Sequence, residues 1–133
     1  MNAEQTDLDH LVATFAAEWL RLPDPQLAGR LVADPVLILG PDGTMPVPRS
    51  AFLAAITARS AAVAGTPGST TTLAGTATQA LGDRMVLATI SWSFSSADTT
   101  TTLVSDFLLQ RDAQAPLRCV AYLPRTNVLD HLE

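Results

Sequence analysis

Apolar residues near the start of the chain recur every three or four positions: Leu8, Leu11, Val12, Phe15, Trp19 and Leu22. That spacing gathers them on one face of a helix, with Thr6 and Asp9 as a capped start and Pro23 as the stop. Asp24-Pro25 opens a short second helix that points Leu27, Leu31 and Val32 inward, and Pro35 limits it. Residues 36–40, VLILG, read as a buried strand and 41–43, PDG, as a turn. Pro46 and Pro48 lead into a third helix over about 49–63, with Phe52, Ile56 and Val63 on one side.

After the connection at 64–72 the period falls from helical to alternating. TLAGTATQAL is a weak strand of small residues, and GDR at 82–84 is the turn after it. In MVLATISWSF, Val86, Ala88, Ile90, Trp92 and Phe94 share one face, while Thr89, Ser91 and Ser93 share the other. SSADTTTT, 95–102, forms a hairpin tip, LVSDFLLQ returns, DAQAP turns again, and LRCVAYL, 117–123, is the last strand. The predicted order is helix, helix, strand, helix, then four antiparallel strands: an α+β pattern in a single domain over 1–133.

Asp106 interrupts the apolar run LVSDFLL. A carboxylate taken out of water must be paired, protonated or put to use, because burying it bare costs many kcal/mol. Alternation groups Val104, Asp106 and Leu108 on one face and Leu103, Ser105, Phe107 and Leu109 on the other. If the first set lines a cavity, Asp106 is its acid, and Phe107 and Leu109 form an apolar outer patch of the kind that marks an interface.

Composition narrows the partners. The 133 residues carry 13 acidic and 8 basic side chains, a net charge of −5, and all the basic residues are Arg. No basic stripe exists to neutralise phosphates, which argues against nucleic acid. The acidic start MNAEQTDLDH does not read as a signal peptide, and PVLILG is too short to cross a bilayer. One cysteine, Cys119, excludes an internal disulfide, so the expected setting is cytoplasmic and the expected role of the thiol is packing. No His, Cys or carboxylate grouping has metal-ligand spacing, and neither His10 nor His131 belongs to a catalytic pattern, so no metal or cofactor is expected.

DPQLAGRLVADPVLIL with PRSAFLAAI, and SDFLLQRDAQAPLRCVAYLPRTNVL further on, resemble nuclear transport factor 2-like domains over nearly the whole chain. That superfamily includes ketosteroid isomerases, SnoaL-like cyclases, scytalone dehydratase and limonene-type epoxide hydrolases. The resemblance implies a cone-shaped fold, in which a strongly bent, mostly antiparallel sheet wraps about three N-terminal helices, and homodimers formed through the sheet face. Val104-Ser105-Asp106 is similar to the isomerase strand whose Asp donates to a developing oxyanion, and Ala121-Tyr122 with Asn127 is similar to the stretch that follows. The chain departs from that pattern where it matters for chemistry. Phe15 stands in place of the isomerases' donor Tyr, and their general base falls near Gly40, with Asp42 two residues on.

Two readings follow. In one, a SnoaL-like isomerase, cyclase or dehydratase acts on a hydrophobic oxygenated metabolite, with Asp106 as catalytic acid and Phe15, Trp19, Phe52, Trp92, Val104 and Leu108 shaping the pocket. In the other, a non-catalytic homodimer binds a hydrophobic ligand or a partner protein. Glu18 sits at the edge of the first helix's apolar stripe, with a solvated helix face as its expected setting and the pocket as the alternative.

Overall fold

The computed structural model describes residues 3–22, 24–40, 43–65, 68–96, 99–111 and 117–125. Helix α1 (Ala3–Trp19) buries Leu8, Val12, Phe15 and Trp19 of the predicted stripe together with Ala16, and leaves Leu11 half-buried. Helix α2 (Pro25–Leu31) starts where Asp24 accepts a hydrogen bond from the Gln26 N–H at 2.9 Å, with proline at the first position. Glu18 of α1 and Arg30 of α2 pair at 2.6 Å and tie the two helices together. Strand β1 (Val32–Gly40) begins earlier than the apolar run VLILG suggests. Strand β2 (Gly43–Val47), where a lead-in to the helix was expected, pairs antiparallel with it. Proline is tolerated there because β2 lies at the edge of the sheet.

Helix α3 (Arg49–Ala64) buries Phe52 and Ile56. Strands β3 (Thr70–Ala80), β4 (Met85–Ser96), β5 (Thr99–Gln110) and β6 (Arg118–Pro124) complete a six-stranded sheet in the order β2-β1-β6-β5-β4-β3. The β3–β4 turn uses Gly82 at φ 88°, a conformation that costs a residue without Cβ little. Neighbours β3 to β6 are antiparallel, whereas β1 and β6 run parallel, so the sheet is mixed.

The alternation on β4 decides which face of the sheet meets the helices. Val86, Ala88, Ile90, Trp92 and Phe94 are buried, and Ala88 pairs with Phe107, Ile90 with Ser105 and Trp92 with Leu103. The odd-numbered residues of β5 therefore face inward. Phe107, fully buried, stands edge-on to Phe15 at 5.5 Å and to Trp19 at 4.8 Å between ring centres. Tyr122 joins this cluster at 5.1 Å from Phe107 and 5.8 Å from Phe52. Such offset and edge-on contacts add to the burial of each ring.

This arrangement corrects the expected pocket. Asp106, Val104 and Leu108 lie on the face turned away from the helices, while Phe107 and Leu109 are core. The reversal has a simple physical cause. Placing Phe107 and Leu109 inside removes more apolar surface from water than placing Val104 and Leu108 there, and it leaves the one charged residue near solvent. Several sequence expectations, namely Pro23 as a helix stop, Asp42, the turn at 112–116, Asn127 and His131, lie outside the described residues.

Candidate functional site

A cavity of about 320 Å³ lies where α3 and the end of α1 meet the inner face of β4 and β5. Its floor is buried Trp92, Leu103 and Ser105; its rim includes exposed Leu20, Ser60 and Ala64. Trp19 closes one side, and Ile56, Arg59 and Tyr122 another. The Trp92 indole Nε1 donates to Ser105 Oγ at 3.4 Å, so the two polar atoms on the floor satisfy each other. The Arg59 guanidinium donates from Nη1 to the Tyr122 hydroxyl oxygen at 3.4 Å.

A second, more apolar groove of about 760 Å³ runs between α3 and strands β1, β2 and β6, lined by Ile38, Val47, Phe52, Ala55 and Leu123 among others. It shares Ile56, Arg59 and Tyr122 with the first cavity, so those residues form the wall between the two. Both cavities hold the aromatic and apolar surface typical of small-molecule sites, with a few convergent polar groups. Among the described residues, neither lining contains a carboxylate or a histidine; the charges present are Arg59 in both and Arg125 at the groove.

The four aromatic residues anticipated as pocket walls lie on the helix side of the sheet, but with different roles. Trp19 and Trp92 line the first cavity and Phe52 lines the groove, whereas Phe15 is packed into the core and lines neither. Val104 and Leu108 line neither cavity, being on the outer face with Asp106. Glu18 is engaged by Arg30.

Asp106 is satisfied rather than poised. Arg125 Nε and Nη2 donate to its two carboxylate oxygens at 2.5 and 2.9 Å, and Thr89 Oγ1 donates to Oδ1 at 2.7 Å. Partial burial alone would raise its pKa. The hydrogen bonds from Arg125 and Thr89, with the charge of Arg125, outweigh that and hold it below the ordinary aspartate value. A group held ionised in this way cannot act as the neutral donor of an oxyanion site at pH 7. Cys119, fully buried, has its thiol pushed well above the usual range by burial and is chemically quiet packing.

Tyr122 and Arg59 are the residues that pattern reading missed. Strict alternation from Cys119 would turn Tyr122 outward. In β6, however, Leu109 pairs with Cys119 and Leu108 with Ala121, so Val120 is an extra residue that shifts the register and brings Tyr122 inside. No local signal such as glycine or proline marks that bulge. Arg59 belongs to α3 without interrupting its apolar stripe, so its position against the cavity became visible only once β6 was placed beside α3.

Among the described residues no group of three His, Cys, Asp or Glu side chains comes together to hold a metal ion, and no helix is long and apolar enough to cross a membrane.

No family model and no curated protein matches the chain. Among solved structures, the crystal structure of the Kfla4162 protein from Kribbella flavida is similar, with 16% identity, 90% of each chain covered and a TM-score of 0.60. At that identity the likeness supports the fold, here α+β with three helices and a six-stranded mixed sheet among the described residues.

Proposed function

We propose that the chain is a non-catalytic small-molecule-binding domain of the nuclear transport factor 2-like kind, taking a hydrophobic, oxygen-bearing ligand between α3 and the sheet. The observation that carries this reading is the cavity itself, with tryptophans on two sides and hydroxyl and guanidinium groups converging on it. The order of elements, two helices, a strand pair, a third helix and a four-stranded meander, supports the superfamily resemblance, with a bent, cone-like sheet as part of that reading. The binding reading is preferred to the SnoaL-like enzyme because the lining offers no carboxylate or histidine among the described residues to move a proton. A buried lone thiol accords with a cytoplasmic setting.

The outer face suits a homodimer. Leu37, 41% exposed, stands opposite Ala121 of β6, which in turn pairs with Leu108 and then Leu87, an apolar row across four strands.

The test of the binding reading is titration with the uncharged dye N-phenyl-1-naphthylamine. Saturable fluorescence enhancement, weakened about tenfold by Ser60→Phe at the rim, supports the cavity as the site, since blocking a pocket removes its buried apolar contacts. A dye that does not bind, or that binds equally to the Ser60→Phe protein, contradicts it.

A further inference from the structure

We propose that the wall between the two cavities, formed by Arg59 and Tyr122, binds the carboxylate of a small ring-bearing acid whose apolar body lies against Trp19 and Trp92. The inference rests on the binding reading above and names the ligand's chemical class.

Three observations converge on it. First, the chain carries 13 acidic and only 8 basic residues, yet the described lining of both cavities contains arginine and no acid. Second, the arginines near this part of the fold differ in how they are neutralised. Arg30 is paired by Glu18 and Arg125 by Asp106, while half-buried Arg59 has the neutral Tyr122 hydroxyl as its hydrogen-bond partner, at a long 3.4 Å. A guanidinium cannot shed its charge, so partial burial beside a phenol leaves it under-compensated until an anion arrives. Third, the phenol oxygen accepts from Arg59, which leaves the Tyr122 hydrogen free to donate. The pair thus offers two donors to the same spot, one charged, which matches the two oxygens of a carboxylate.

A single positive charge and one hydroxyl suit a monoanion better than a phosphate dianion. Arg59 also sits in the second half of α3, away from the backbone N–H groups of the helix start that phosphates favour. A volume near 320 Å³ is at the small end of ligand pockets, so the apolar body is compact, on the order of two fused rings.

The test compares naphthalene-2-carboxylate, its neutral methyl ester and 2-naphthyl phosphate by calorimetry on the wild-type protein and on Arg59→Gln, Arg59→Lys and Tyr122→Phe. The expected result is a carboxylate that binds wild type about tenfold or more tighter than the ester, the worth of a charge-assisted hydrogen bond. Arg59→Gln should lower carboxylate affinity several-fold more than ester affinity and so abolish that preference, Arg59→Lys should keep part of it, and Tyr122→Phe should reduce it. Raised salt should weaken the carboxylate and spare the ester. Equal affinities for acid and ester on wild type, equal losses of both in Arg59→Gln, or tighter binding of the phosphate would overturn the carboxylate assignment and leave the cavity reading standing. Failure of both acid and ester to bind would overturn the two together. The wild-type comparison decides the matter even if a variant does not fold.

Discussion

The side chain of Asp106 is 14% exposed and that of its partner Arg125 is 54% exposed, so the ion pair lies at the water boundary. Screening keeps its worth modest, and Asp106→Asn should cost about 1 kcal/mol in urea unfolding at neutral pH. The sign of the pH dependence follows from the lowered folded pKa. The unfolded chain takes up the proton more readily, so the contribution is fully present above the ordinary aspartate value near pH 4 and is lost as pH falls through the lower folded value. Wild type and Asp106→Asn should therefore differ by a constant amount above about pH 5 and converge below about pH 4. A gap that widens on acidification would contradict the ion pair. The sequence left this acid to be paired, protonated or used, and the structure pairs it with Arg125 and Thr89. The sequence could not show that partner, because Arg125 is distant along the chain and reaches Asp106 only when β6 lies beside β5.

At the level of elements, periodicity carried most of the information. The three helices and the β4 alternation follow directly from where apolar residues fall, and α2 is marked by its Asp-Pro cap. Strand β5 is the exception: apolar residues occupy both of its faces, so its own pattern does not say which side is core. Only the register with β4 settles it, placing Phe107 opposite Ala88. Truncation should read out that assignment. Phe107→Ala should cost about 3 to 5 kcal/mol, and Val104→Ala about 1 kcal/mol or less, measured by denaturant unfolding. The reverse ranking would mean that the sheet's inner and outer faces are exchanged. The β6 bulge at Val120 and the edge strand β2 were illegible for a related reason, since each is imposed by pairing with a neighbour and not by a local turn residue.

For the molecule as a whole, one face of the sheet is used to build a core and cavities, and the other carries the apolar row from Leu37 to Leu87. If that row is a homodimer interface, wild-type protein should sediment as a dimer, and Leu108→Asp should sediment as a monomer with unchanged far-ultraviolet circular dichroism, because a charge placed in a dry interface lacks a partner. A wild-type protein that stays monomeric at all concentrations would remove the interface. The cavity is the larger claim, and its most direct test is a crystal structure grown with saturating naphthalene-2-carboxylate. Ring density is expected against Trp19 and Trp92, with the carboxylate within about 3 Å of the Arg59 guanidinium and the Tyr122 hydroxyl. Ring density on the outer face beside Asp106, with the space under α3 closed by the protein's own side chains, would contradict it.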